Sequence, residues 1–449
     1  MKRSEFLKQS LSIGIGATIF PQIISCKGIK KENALKNWAG NLQYNAVETR
    51  YPRSTQELQT VIVQLDKAKA LGTMHCFNKI ADTTGIQLST KNLTSVYEID
   101  EINQTVTVDS GIKYGDLGVY LNQRGWALHN LASLPHISVG GSCATATHGS
   151  GINNGNLTSA IVGFEILYAN GDLNWIDPTI DNEFFNATAV NLGALGIITK
   201  VKLRIEPTYS IKQFVFENLS IDQLETHFDS IMGAGYSVSF FTHWLNNNID
   251  QVWVKCKIDQ EFDGMNLFYG SSPAIKDLHP IKVNSPVNCT PQLGLEGPWH
   301  ERLPHFRMDF TPSNGDELQS EYFIDRVDAF KAIKAIIPYA EEMQDFLYIS
   351  EIRCIAKDNF WMSTAFDRES VALHFTWKPK PKEVYAFLPK LEFILSQFSA
   401  RPHWGKIFTT QKERIFELYP KALEFVSLKK ELDSNGIFSN QFTHSVLGV

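Results

Sequence analysis

The sequence predicts an α+β fold made of two main units and a short C-terminal segment. Three observations carry that prediction. Apolar residues are 43% of a 449-residue chain and aromatics 12%, enough for two or three packed cores. Between residues 37 and 208, short alternating strand patterns are separated by glycine-rich loops, with few helical stretches. From 209 to 402, strand patterns alternate with longer amphipathic helices, and residues 403–449 carry motifs of their own.

Taken in order, residues 1–26 read as a processing segment rather than fold. Lys2 and Arg3 form a basic start, Leu11 to Ser25 is apolar, and Ile23-Ile24-Ser25-Cys26 has the form of a bacterial lipobox. The apolar run is short and interrupted for a membrane span. Lys2 to Lys8 also resembles a twin-arginine export motif, with Lys-Arg in place of Arg-Arg. The expectation is an exported protein of the bacterial cell envelope, anchored to membrane through a lipid on Cys26.

The folded chain begins near Asn37-Trp38-Ala39-Gly40-Asn41. Ser54 and Glu57 form a capping-box pattern, which opens a helix expected to run to about Ala70. Val96–Ile99 and Thr105–Val108 alternate as half-buried strands, and Tyr114–Arg124 as a short helix. Asn170-Gly171 between two apolar runs predicts a hairpin. Gly193-Ala194-Leu195-Gly196 leads into a strand over Ile197–Ile205. Farther on, Tyr236–Thr242 and Gln251–Lys257 read as strands, and Ile324–Ile337 and Val384–Phe398 as helices.

Composition excludes several function classes. The formal charge of −6, with no basic block, argues against a nucleic-acid partner. Six scattered cysteines without a CxxC pair argue against a zinc site or a redox dithiol, and no metal is expected.

Two loops invite a ligand. In Leu71-Gly72-Thr73-Met74-His75-Cys76-Phe77, a glycine admits close backbone approach and His75 sets a ring nitrogen beside it. In Ser138 to Gly151, two glycine clusters alternate with the hydroxyls of Ser138, Ser142, Thr145 and Thr147, donors suited to a pyrophosphate. A G-x-G-x-x-G fingerprint is absent. Without more, a lone loop histidine and a glycine-rich turn have ordinary structural explanations.

These loops, with Trp38-Ala39-Gly40, Gly193-Ala194-Leu195-Gly196, Pro298 to Arg307, His374-Phe375-Thr376-Trp377 and His403-Trp404-Gly405-Lys406, resemble the alditol oxidases. These are xylitol- and sorbitol-oxidising members of the vanillyl-alcohol-oxidase-type flavoproteins, near neighbours of the aldonolactone oxidases. The resemblance spans about residues 37–449. It implies a two-lobed FAD-binding domain of that type (PCMH) over 37–208 and an α+β substrate, or cap, domain over 209–402. Residues 403–449 would then contribute to the flavin and substrate site. It implies FAD bound covalently through His75, with Gly72, Thr73, Met74, Cys76, Phe77, Ser133, Ser138, Gly141, Ser142, Cys143, Ala144, Ile198 and His403 around the cofactor. The family often has Gly where this chain has Met74, so a positive φ there would be strained.

The reacting end rests on Glu351-Ile352-Arg353, two charges on one face of a strand, and on Lys406. The resemblance assigns Glu351, Arg353 and Lys406 to catalysis, and adds Ser133 and Thr376 to the substrate contacts. His300, His305 and His374 align with family motifs but keep open roles. The implied reaction moves hydride from the terminal CH–OH of a linear polyol to the flavin, which O2 reoxidises to give H2O2. Alternatives are a sugar-lactone oxidase, a dehydrogenase that passes electrons to a membrane acceptor, and a non-enzymatic sugar-binding lipoprotein.

Overall fold

The computed structural model describes residues 35–260, 262, 268–310 and 316–449. The processing segment and Cys26 lie outside the described residues.

The first layer is a parallel sheet of β1 (Glu48–Arg50), β2 (Ala68–Leu71) and β3 (Ile86–Ser89), in the order β1-β3-β2. Parallel strands need a crossover, and helix α1 (Thr55–Ile62) supplies it between β1 and β2. Ser54 caps that helix by accepting from the Glu57 amide at 3.1 Å, while Glu57 turns back to the Arg53 amide at 2.8 Å. The expected helix therefore ends eight residues early. Ala68, Lys69 and Leu71 are buried on both sides of a parallel sheet, which yields an apolar run that spacing alone does not separate from a helix.

The second layer is a five-stranded antiparallel sheet. It contains β4 (Val96–Asp100), β5 (Thr105–Asp109), β6 (Ile161–Leu167), β7 (Leu173–Ile176) and β8 (Ile197–Arg204), in the order β4-β5-β8-β6-β7. The β6–β7 hairpin turns at Asn170-Gly171, where Gly171 has φ +87°. Helix α2 (Tyr114–Asn122) packs its Leu117 and Leu121 into the same core.

The third layer is a nine-stranded antiparallel sheet that carries the chemistry. Its long strands are β9 (Ser210–Ser220), β10 (Ser237–Thr242), β11 (Asn248–Lys257), β12 (Leu318–Asp325), β13 (Leu347–Ile355) and β14 (Ser370–Trp377), in the order β9-β11-β10-β13-β14-β12. One face is apolar: Phe240, Val252, Ile352, Leu373 and Phe375 pack against the helices Gln223–Met232, Ala329–Ile336 and Pro381–Ser396. Alternation sends the intervening residues to the opposite face. The helix expected from Ile324 begins at Ala329 instead, because Ile324 pairs with Val371 inside the sheet.

The C-terminal helices Lys412–Leu418, Ala422–Leu432 and Gln441–Leu447 return to the first core, where Ile415, Tyr419, Phe425 and Phe442 are buried. Asn440 caps the last of them, and its Nδ2 donates to the carbonyls of Lys79, Ile80 and Asp82. Among the described residues no helix is long and apolar enough to cross a membrane, and no group of acidic, His and Cys side chains is arranged to hold a metal.

Candidate active site

The His75 loop leaves the C-terminal end of β2, the end at which parallel sheets offer ligand crevices. Met74 stands at φ +63°, the left-handed geometry that costs a residue with a Cβ about 1–2 kcal/mol. Contacts on both sides hold it there. Trp38 N–H donates to the Met74 carbonyl at 2.9 Å, Asn37 Nδ2 to Cys76 O at 3.0 Å, and Phe77 N–H to Gly405 O at 2.8 Å. Asn78 Nδ2 reaches the carbonyls of Trp404 and Lys406 at 2.8 and 2.6 Å. The loop is thus stapled to Asn37 and Trp38 on one side and to residues 404–406 on the other.

The kink aims His75. Its ring stacks on Trp38, centroids 5.2 Å apart and planes 20° apart, and Nδ1 lies 3.0 Å from Thr73 Oγ1. Nε2 is buried with no hydrogen-bond partner. Burial, then the neighbouring His136 and Lys406, pushes the imidazole down to about 3, so the ring is neutral with a free nitrogen. A buried polar atom without a partner calls for an explanation, and a ligand bonded there supplies one.

The second loop closes against the first through glycines. A Cβ on Gly72 would lie 2.8 Å from Ser138 Oγ, and one on Gly140 would lie 2.6 Å from Ser110 Cβ. The backbones of the two loops come close at Gly72 and Gly141, where a Cβ on Gly72 would lie 3.8 Å from Gly141 Cα, and a cleft runs along them. Gly72, Thr73, Met74, His75, Cys76, Phe77, Ser133, Ser138, Gly141, Ser142, Ala144, Ile198 and His403 all line it. Cys143 does not: its buried thiol faces the Tyr114 hydroxyl at 3.6 Å, behind the short helix Val139–Cys143. The elongated cradle and the orphan Nε2 fit a flavin dinucleotide. Gly72, Ser138 and Gly141 would hold its phosphates and His75 its ring.

The same cleft ends on the polar face of the nine-stranded sheet. Register puts Glu351 opposite both Phe241 and His374, and His374 opposite Glu321. Gln319 faces Thr376 two pairs along, on the same face. Gln319, Glu321, Glu351, Arg353, His374 and Thr376 thus share one face and line the cleft with Lys406. Four residues named from the sequence, Glu351, Arg353, Thr376 and Lys406, line this cleft together. Ser133 reaches in from its loop to accept from Arg353 Nη1 at 3.1 Å.

Glu321 and Gln319 were not singled out from sequence, although Gln319-Ser320-Glu321 has the same two-residue spacing as Glu351-Ile352-Arg353. Glu321 is the hub. Its Oε1 receives Arg353 Nη2 at 3.0 Å and His148 Nε2 at 3.2 Å, with His374 Nδ1 at 3.5 Å. Burial raises its pKa, but His148 and His374 outweigh that and hold the carboxyl well below its usual range. Glu351 is likewise held down against burial, first by Arg353 and then by His305, whose Nε2 lies 2.8 Å away. Lys406 Nζ donates to Gln319 Oε1 and lies 4.9 Å from the Phe77 ring centre. Burial lowers the Lys406 pKa, against Glu321 and Glu317. His403 turns away from solvent, accepting the Gly405 amide at 2.9 Å, and burial takes it down to about 3.

Chemically, this end offers donors and acceptors in a row, spaced by strand pairing at about 5 Å. Such a row can hydrogen-bond a ligand that carries several hydroxyls.

Comparison with known proteins agrees with this geometry. A family model described as FAD binding domain matches residues 49–177, and one described as D-arabinono-1,4-lactone oxidase matches 316–446. An alditol oxidase of a Streptomyces strain is 40% identical, over 92% of this chain and 99% of its own. An L-gulono-1,4-lactone dehydrogenase of Mycobacterium tuberculosis is 26% identical over 92% of this chain and 98% of its own. Among solved structures, cholesterol oxidase from B. sterolicum superposes with a TM-score of 0.74 at 13% identity, covering 92% of this chain and 96% of that one. A xylooligosaccharide oxidase from Myceliophthora thermophila in complex with xylobiose gives 0.70 at 13% identity, covering 92% and 93%. Both likenesses concern the fold.

Proposed function

The chain belongs to the alditol oxidase family, and from that premise we propose that it oxidises the terminal CH–OH of a linear polyol, such as xylitol or sorbitol, to the aldose. One observation carries the reading: the row of buried and half-buried polar groups on one sheet face opens into the same cleft as His75. The net change is RCH2OH + O2 → RCHO + H2O2. FAD, when bound, supplies the two-electron acceptor for that change. His75 carries it covalently in this reading, supported by a neutral ring whose buried Nε2 lacks a partner.

The protein's own residues bind, orient and exclude water. Arg353 is fixed by Glu321 and Ser133 and presents its guanidinium to substrate oxygens. Glu351 stays ionised and so accepts from a hydroxyl rather than donating to one. Lys406, held by Gln319, sets a positive charge where an oxygen that loses its proton needs one. Thr376 Oγ1, 3.2 Å from His374 Nε2, adds a further polar contact. Glu321, Glu351 and Arg353 are buried and Lys406 is half-buried, so these charges act with less screening by water than at the surface.

Sugar lactones are the second reading, favoured by the lactone oxidase model that spans Glu321, Glu351 and Lys406. For localisation, Lys2 to Cys26 supports export and a lipid anchor, which would bring a membrane electron acceptor within reach in place of O2. Purified protein should be yellow and keep its flavin fluorescence after acid precipitation. Xylitol should drive O2 uptake with H2O2 formed. Turnover of lactones alone would replace the polyol reading, and dye reduction without O2 uptake would replace the oxidase reading.

A further inference from the structure

Farther along the same sheet face lies a lysine that none of the chemistry above uses. Lys255, on β11, is buried at 1% exposure, and its Nζ meets three polar atoms. These are the Leu303 carbonyl, the Pro304 carbonyl at 3.0 Å and His305 Nδ1 at 3.1 Å. All three belong to one segment, Leu303-Pro304-His305. Burial lowers the Lys255 pKa to about 7, against the pull of Glu351. In the ammonium form its three N–H groups match the three contacts, whereas a neutral amine has only two to donate and would have to accept from Nδ1–H.

The consequence passes through a ring. A nitrogen that accepts from Lys255 carries no proton, so the proton of neutral His305 sits on Nε2. Nε2 lies 2.8 Å from Glu351 Oε1 and 3.3 Å from Ser239 Oγ. The ring cannot swing to other partners, since Phe241 and Trp253 hold it edge-on with centroids 5.3 and 5.2 Å away. Arg353 Nε also approaches Glu351 Oε1, at 3.4 Å. His305 thus holds Oε1, with Arg353 Nε close by but outside hydrogen-bond geometry, and neither lies on Oε2, which is left for the cleft.

We propose that Lys255 is a positioning residue that fixes the tautomer of His305 and so keeps Glu351 an obligate acceptor for one substrate hydroxyl. With the other tautomer, Nδ1–H would face the ammonium donor against donor, and a bare Nε2 would face the carboxylate. Lys255 thereby favours a substrate that brings a hydroxyl donor to this position and disfavours its deoxy analogue. The substrate arm of the test rests on the polyol reading; the spectroscopic arm does not.

The test uses the full holoenzyme labelled with 15N-histidine, with His305 signals assigned by their loss in His305→Gln. Wild-type His305 should show a protonated Nε2 and a bare Nδ1. Lys255→Met should move population towards Nδ1–H, and Lys255→Arg, which still donates, should restore the wild-type pattern. In steady state, Lys255→Met should raise KM for xylitol on the order of tenfold, with kcat changing less. In a His305→Gln background, where no tautomer exists to be chosen, Lys255→Met should add no further rise. A wild-type ring protonated on Nδ1 or on both nitrogens overturns the proposal, and that measurement stands even if Lys255→Met does not fold. So does an unchanged tautomer in Lys255→Met, or additive effects in the double variant. If no polyol is turned over, the polyol reading fails while the nitrogen shifts still decide the role of Lys255.

Discussion

Arg353 Nη2 and Glu321 Oε1 lie 3.0 Å apart with both side chains closed from water. The pair joins two strands that are not neighbours, β13 and β12, across β14 between them. Breaking such a pair from one side strands a buried charge, at a cost of about 3–5 kcal/mol. Glu321→Gln should therefore lower stability by roughly 3 kcal/mol, since Arg353 keeps Glu351 and Ser133 nearby. kcat/KM should fall on the order of a hundredfold through misplacement of the guanidinium. Ser133→Ala removes one of its hydrogen bonds, and its loss of stability should be nearer 1 kcal/mol. Denaturant melts and steady-state rates on both variants check the ranking. Equal losses would contradict the placing of Glu321 as the hub.

Acid should destabilise the protein earlier than carboxylates alone predict. His305 and His403 are neutral in the fold, with pKa values lowered by burial to about 4 and about 3 from 6.5. An unfolded chain binds their protons first, so stability is full above about pH 6.5 and is lost as pH falls towards those folded values. Each contributes a slope of up to about 1.4 kcal/mol per pH unit in that window. Glu321 and Glu351 add a loss of the same sign only below their unfolded range, near 4.5. Thermal melts from pH 8 to 4 should begin to drop near pH 6.5. A flat profile down to pH 5 would mean that these rings are not buried neutral.

What the sequence made legible was local. The hairpin at Asn170-Gly171 and the two-residue spacing of Glu351 and Arg353 are short-range patterns, and both appear in the fold. Glu321 escaped because its meaning lies in partners far along the chain, His148 and Arg353, joined by strand pairing rather than by spacing. Lys255 escaped for the same reason: a lysine in an apolar strand carries no sign of the histidine 50 residues on that it meets. The stretch up to Ala70 misled because burial on two sides of a parallel sheet removes the alternation that marks a strand. The family resemblance places Cys143 around the cofactor, but one step along a short helix turns its side chain to the core.

Met74 offers a test of strain. Relief of φ +63° by Met74→Gly is worth about 1–2 kcal/mol, and the added freedom of glycine in the unfolded chain takes back about 0.4–1. The net should be a small gain in stability, below about 1.5 kcal/mol, with flavin content unchanged. Met74→Val puts a β-branched side chain at the same φ and should be clearly less stable than wild type. Paired melts of the two variants check the sign. A destabilised glycine variant would show that the Met side chain contributes more through contacts than its backbone costs.

His75→Ala separates the attachment of the cofactor from the integrity of the fold. The substitution removes the ring stacked on Trp38, a contact worth about 0.5–1.5 kcal/mol beyond its buried area. The loop remains tied by Trp38 N–H to Met74 O, by Phe77 N–H to Gly405 O and by Asn78 to the tail. The glycine cradle formed by Gly72, Gly140 and Gly141 is untouched. The variant should therefore fold and bind FAD reversibly, with fluorescence released into the supernatant on acid precipitation where the wild type keeps it in the pellet. Flavin that stays with the denatured variant would place the covalent bond on another residue. A variant that folds but holds no FAD at all would show that the bond, rather than the cradle, supplies the affinity.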